Sequence, residues 1–231
     1  MQTSLIQIIA QLAKLAEIHP ESVSNISSQI AKIAVSYPTS VGPLADALSD
    51  GQLISKQWLA DNLKGIDLGT IFLCGGWFAT LLFDQRLSYA QCISFDIDHS
   101  CKKPAEIIHR KLLMDGWKFL AFTMDIRDIN YSMQPLTVIR SNGTTVDITV
   151  TPNTIINTSC EHIENFKAWW DLIPTGKLVA LQTNNGFDIH GHVNCVASLI
   201  DFADQTPLTS VLYEGEKEMP KFTRFMRIGV K

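Results

Sequence analysis

The sequence predicts an α/β fold: a doubly wound, mostly parallel sheet with a reversed last strand, preceded by a small N-terminal helical region. Three observations lead there. From residue 66 onward, short β-rich runs alternate with helical stretches, the pattern of parallel strands joined by crossover helices. The run Ile71-Phe72-Leu73-Cys74-Gly75-Gly76 reads as a buried strand ending in a glycine turn. In doubly wound folds, ligands sit at such strand ends. Finally, residues 209–213 and 222–230 are two β-rich runs with no helix between them, which places one antiparallel strand in the sheet.

The 231 residues allow one large domain, or a domain with an appendage. A hydrophobic content of 46% supports a real core. The formal net charge of −4 leaves no electrostatic footprint for sequence-independent binding to nucleic acid. Five cysteines, an odd number with no CxxC pair, read as reduced thiols, so a cytoplasmic location is expected. The first fifteen residues lack a basic flank and a cleavage site, and no apolar run reaches membrane-spanning length.

Residues 1–64 are expected to be helical. Leu5, Ile8, Ile9, Leu12, Leu15 and Ala16 recur at helical spacing, and His19-Pro20 should end that helix. Val23, Ile26, Ile30, Ile33 and Ala34 form a second stripe, closed by Tyr37-Pro38. Shorter helices are expected over 43–48 and 55–63, the latter capped by Ser55. This region packs as core or serves as a lid or dimer surface; a homodimer is a reasonable expectation from its apolar helices. Lys64-Gly65 marks the boundary to a domain over 65–231.

There, strand one covers 70–73, and a helix is expected from the glycines to about Gln85. Strand two covers 91–95. A helix spans 103–113, with Pro104 in its first turn. Strand three covers 117–123. A hairpin insertion at about 136–150 turns at Ser141-Asn142-Gly143, since Asn-Gly between β-rich runs is a strong hairpin signal. Strand four covers 153–157, a helix 163–172, strand five 177–182, and a short helix 196–202.

The candidate site follows from these strand ends. Gly75 and Gly76 let a ligand approach the backbone closely. Asp96 lies 21 positions after Gly75. A carboxylate about 20 residues past a glycine turn can accept hydrogen bonds from a ribose. Asp98 is its rival for that role.

This order of elements resembles the class I S-adenosylmethionine-dependent methyltransferases, whose fold is Rossmann-like. The resemblance covers residue 66 to the end. It implies S-adenosylmethionine as cofactor, with Gly75 and Gly76 beside its methionine part and Asp96 on its ribose. It implies adenine recognition by Asp125 and Ile126, with Asp128 a rival acid, and a cofactor-facing role for Asn157. The run Ile173-Pro174-Thr175-Gly176-Lys177 looks like the family's turn into strand five. The sequence also departs from the family pattern. Leu73 stands where an acid is usual, and Trp77, Phe78 and Ala79 replace the later glycines. Strand four ends in Asn157-Thr158-Ser159-Cys160, unlike the Asn/Asp-Pro-Pro-aromatic motif of enzymes that methylate base amino groups. A weaker resemblance, through Phe95-Asp96-Ile97-Asp98, is to nicotianamine synthases, which transfer the aminocarboxypropyl group of the same cofactor.

Methyl transfer asks a protein for in-line approach and, for an acidic nucleophile, a base. Glu161 and His162 are the candidates for that base, although an acid at 161 also suits the first turn of the following helix. Ser159, Asn184, Asn185, His190 and His192 are the candidate substrate-binding residues. Cys160-x-His162 and His190-x-His192-x-x-Cys195 carry metal-binding residue types, but their spacing matches no standard zinc signature, and a polar substrate pocket explains them. No metal is assigned. The expectation is a transferase for a small polar molecule, by methyl transfer. The alternatives are aminocarboxypropyl transfer and a catalytically silent domain that binds a partner through residues 1–64.

Overall fold

A computed structural model describes the backbone of residues 2–18, 20–140 and 142–231. The side chains of Gln2, Leu15 and residues 17–25 lie outside the described residues, as do His19 and Ser141, where a helix end and part of a turn were expected.

Four helices come first: α1 (Gln2–Ile18), α2 (Pro20–Ser36), α3 (Val41–Ala47) and α4 (Asp50–Leu63). The last begins one turn earlier than expected. Ser49 occupies its N-cap position, and Ser55 lies inside the helix, buried. Ser55 donates to Gln182 Oε1 at 2.9 Å, so its hydroxyl is spent on docking the helix rather than starting it. Among the described residues, no helix is long and apolar enough to cross a membrane.

The sheet contains β1 (Thr70–Cys74), β2 (Gln91–Asp96), β3 (Phe119–Thr123), β6 (Thr154–Asn157), β7 (Leu178–Asn184), β8 (Ser210–Glu218) and β9 (Thr223–Val230). The remaining strands, β4 (Gln134–Ile139) and β5 (Thr145–Val150), form the expected antiparallel hairpin. Its turn is closed by Gly143 N–H donating to Arg140 O at 2.9 Å. The seven strands run in the order β3-β2-β1-β6-β7-β9-β8. All adjacent pairs are parallel except those of β9, which runs antiparallel to both β7 and β8. From β1 the chain winds outward to β3, then returns to β6 on the other side of β1. The switch point lies between β1 and β6.

Both faces of the sheet are covered, which is why its central strands are apolar without alternation. Phe72, Phe95, Ile155 and Leu181 face a core shared with the hairpin, Tyr131, Trp169 and Trp170. Ile71, Leu73, Ile156 and Ala180 face a second core closed by Trp58 and Leu59 of α4 and by Leu81 and Leu82. The other N-terminal helices form a third cluster with Phe78, Phe83, Cys101 and Ile108, so they pack against the sheet domain's own helical layer.

Other helical elements also differ from expectation. After β1 there is no α-helix to Gln85; only a single 3-10 turn, Thr80–Phe83, forms. Gly75, Trp77 and Ala79 all take positive φ, at 62°, 50° and 52°, which is incompatible with a right-handed helix there. The next helix, α5 (His99–Ile108), starts earlier than expected because Asp98 caps it, accepting from Ser100 N–H at 2.8 Å. Pro104 is therefore inside the helix, not in its first turn. It is followed by the short α6 (Arg110–Met114). Past α7 (Phe166–Leu172), the last helix, α8 (Leu199–Gln205), is shifted toward the C-terminus because Ser198, accepting from Asp201 N–H, caps it.

Candidate active site

Parallel register sets the height of the site. Cys74 pairs with Phe95 on one side and with Asn157 on the other. The residues that follow, Gly75 and Asp96, therefore emerge together at the carboxyl edge, beside Asn157. Here, at the switch point, lies a cleft of about 550 Å³. Gly75, Asp96, Asp125, Ile126, Asn157, Ser159 and His162 line it, joined by Gln52, Trp77, Asp98 and Arg127.

The loop after β1 is built onto Asp96. Gly76 N–H donates to Phe95 O at 3.1 Å, and Trp77 N–H donates to Asp96 Oδ2 at 2.8 Å. Asp98 N–H donates to Oδ1 at 3.0 Å. Each carboxylate oxygen thus accepts one backbone bond, which leaves each with further acceptor capacity, and the residue lines the cleft. Burial pushes the Asp96 carboxyl above the usual carboxylate range, against the pull of those two amides. Gly76 does not line the cleft; it packs on Ser94, whose Oγ would lie 2.1 Å from any added Cβ. Trp77 lines the cleft from a left-handed backbone, while its neighbour Phe78 is buried in the helical core. Strain of about 1–2 kcal/mol at each such residue is the kind that persists where a loop is shaped for a ligand.

At the opposite wall, Asp125 ends the β3 loop. Its Oδ1 accepts from Arg127 N–H at 2.8 Å, and its Oδ2 pairs with Arg127 Nη2 at 2.6 Å. The guanidinium holds the Asp125 carboxyl below its usual range. Behind it, Tyr131 donates to Ile126 O at 2.8 Å and accepts from Trp169 Nε1 at 2.7 Å. This buried chain fixes the turn that presents Asp125 and Ile126. Asp98, the rival acid, is occupied as a helix cap, and Ser100 holds its carboxyl below the usual range.

On the β6 side, Asn157 is buried, and its Oδ1 accepts from Ser159 N–H at 2.8 Å. The chain then turns through Cys160-Glu161-His162. His162 is exposed at the cleft, with Nδ1 2.8 Å from Gly191 O. Glu161 does not reach the cleft. It is 2% exposed and sits beneath it, with Oε1 accepting from Asn184 Nδ2 at 2.7 Å and lying 3.4 Å from Arg224 Nη1. Asn184 also accepts from Gly186 N–H, at 2.8 Å. Asn185 Oδ1 accepts from Thr223 N–H at 2.7 Å, bracing β9. His192 is half-buried, with its ring centroid 4.8 Å from that of His162. His190 is exposed on the same loop. Asn184, Asn185, His190 and His192 do not line the cleft itself.

Sequence reasoning missed Gln52, Arg127, Tyr131 and Arg224. Arg224 carried a signal: with Arg227, it is one of two charged residues in the largely apolar, buried strand β9. It is 4% exposed and donates to Thr158 O at 3.0 Å.

No protein-family model matches the chain, and no curated protein matches it in sequence. Solved structures do match in fold. Magnesium protoporphyrin IX methyltransferase from Synechocystis PCC 6803, solved with bound S-adenosylmethionine, aligns with a TM-score of 0.53 at 12% identity, over 80% of this chain and 83% of that one. The 1,6-didemethyltoxoflavin-N1-methyltransferase of Burkholderia thailandensis, solved with S-adenosylhomocysteine, gives a TM-score of 0.54 at 8% identity, over 89% of this chain and 90% of that one. The N-methyltransferase NodS of Bradyrhizobium japonicum gives 0.50 at 9% identity, over 78% and 96%. At these identities the likeness is one of fold: the chain has the Rossmann-like, doubly wound α/β architecture of S-adenosylmethionine-dependent methyltransferases, with its reversed strand.

Proposed function

We propose that this chain transfers the methyl group of S-adenosylmethionine to a small polar nucleophile. One observation carries the reading: Gly75, Asp96, the Asp125–Ile126 turn and Asn157, from four different strand ends, wall a single cleft at the switch point. Asp96 would take the ribose hydroxyls. The Ile126 amide and the Asp125 carboxylate would take adenine, with Arg127 shielding that carboxylate. The Gly75–Trp77 loop would hold the methionine part. The acceptor would then enter from the Ser159–His162 corner.

In the reaction, an acceptor lone pair forms a bond to the methyl carbon while the carbon–sulfur bond breaks. Its electron pair stays on sulfur, giving S-adenosylhomocysteine. His162, which lines the cleft, would receive the acceptor's proton. Its Nδ1 faces the Gly191 carbonyl, which can only accept, so Nδ1 carries hydrogen and Nε2 is the basic atom. Glu161, buried and paired, would orient this corner rather than touch the acceptor.

The test is to incubate the chain with S-adenosylmethionine and a small-molecule fraction of cell extract, then identify the by-product. S-adenosylhomocysteine together with a methylated product supports the proposal. Methylthioadenosine would point instead to aminocarboxypropyl transfer. Cofactor binding without either by-product, across fractions, would leave a silent binding domain.

A further inference from the structure

We propose that Glu161, His162 and His192 form a binding site for a divalent metal ion of the zinc class beside the cleft. One ligand atom from each of the three lies within 4.8 Å of the others. Both imidazoles are already oriented by backbone carbonyls. His162 Nδ1 is 2.8 Å from Gly191 O, and His192 Nδ1 is 3.0 Å from Gly186 O. A carbonyl only accepts, so each Nδ1 is protonated and each Nε2 keeps a free lone pair. Such outer hydrogen bonds are how proteins orient histidines that bind metals.

The carboxylate supplies an independent observation. Glu161 is 2% exposed, and its Oε1 is taken by Asn184 and Arg224. Its Oε2 is buried and has no hydrogen-bond partner among the described residues. An unmatched buried oxygen of this kind is costly, and a bound cation removes the cost. Two imidazoles and a carboxylate suit zinc and its neighbours, not calcium or magnesium, which take oxygen ligands. Bonds of about 2.1 Å around a tetrahedral ion space its ligands roughly 3.4 Å apart. The three groups therefore draw inward on binding, a movement open to the exposed His162 ring. Arg224 opposes the cation, so the imidazoles must carry much of the affinity.

Three protein ligands leave a coordination position free, as in catalytic rather than structural zinc sites. Because His162 lines the cleft, that position can face it. With the ion bound, His162 Nε2 is a ligand rather than the proton acceptor it would be in the metal-free chain, and an acceptor hydroxyl or thiol on the ion would instead ionise near neutral pH, its proton passing to solvent. The inference does not rest on the cofactor reading, because it concerns metal binding by the chain alone.

The experiment strips the full chain with a chelator and titrates it with zinc in competition with a chromogenic chelator, without S-adenosylmethionine. The visible spectrum is recorded in parallel with cobalt(II). The expected result is one ion per chain, with affinity reduced about tenfold or more in both His162→Ala and His192→Ala, and with the cobalt spectrum altered in each. His99→Ala, an exposed histidine outside the cluster, should retain the affinity. Glu161→Gln leaves Arg224 buried without its carboxylate, so the histidine variants, nearer the surface, carry the test. Absence of saturable binding would overturn the proposal. So would affinity unchanged in both histidine variants, or lost equally in His99→Ala.

Discussion

Replacing Asp96 with Asn perturbs the proposed ribose contact while preserving side-chain size. Both carboxylate oxygens accept backbone amides, from Trp77 at 2.8 Å and Asp98 at 3.0 Å. In Asn, one of these oxygens becomes an NH2 group facing an N–H donor. That conflict loosens the Gly75–Trp77 loop, and the charge-assisted bonds to ribose are lost. Such a bond is worth about 1.5–3 kcal/mol, so removing one or two should weaken S-adenosylhomocysteine binding by roughly 10- to 100-fold or more. Titration calorimetry on both proteins measures this, and a thermal melt of the ligand-free variant separates lost affinity from lost folding. Asp98→Ala is the contrast. It removes a helix cap, costing about 1 kcal/mol of stability, with a smaller effect on affinity. If Asp96→Asn binds S-adenosylhomocysteine as tightly as the unaltered chain while Asp98→Ala does not, the ribose assignment is refuted.

Further outcomes follow from buried groups away from the cofactor. Tyr131→Phe leaves Ile126 O and Trp169 Nε1 without their partner, so chemical denaturation should show a loss of about 1–3 kcal/mol, with weaker cofactor binding as the Asp125 turn loosens. Arg224→Met strands the buried Glu161 carboxylate and should cost about 3 kcal/mol or more in the same assay. His109 is buried against Phe78 O, and burial pulls its pKa from an ordinary 6.5 down to about 4. The unfolded chain therefore takes up a proton at this residue between pH 6.5 and 4 while the folded chain does not. Its stabilising contribution is complete above pH 6.5 and is lost as pH falls through that window, by up to about 3 kcal/mol. Denaturation midpoints for His109→Gln should show a correspondingly shallower fall over the same range.

The parts of this molecule that could be read from sequence are those set by strand ends. An apolar run must stop where the sheet stops, so Gly75, Asp96, Asp125 and Asn157 could be placed at one edge before their contacts were known. The Asn142–Gly143 hairpin was legible for a similar local reason. What was not legible depends on distant partners. Ser55 resembled a cap, yet its hydroxyl answers Gln182, across the helix–sheet interface. Glu161 resembled an accessible base, but Arg224 and Asn184 draw it beneath the cleft. The expected helix after β1 fails because Trp77 and Ala79 adopt left-handed backbone, a conformation that neither residue type signals. The pairing of His162 with His192 brings together the loops that follow the neighbouring parallel strands β6 and β7; strand order makes their meeting at one edge legible, but not the contact between the two rings.

Direct titration of S-adenosylmethionine into the unaltered chain tests the central claim most simply. The account predicts saturable binding of one cofactor per chain, competed by S-adenosylhomocysteine. A folded chain that binds neither compound would contradict the account, leaving a methyltransferase fold whose cleft serves another ligand.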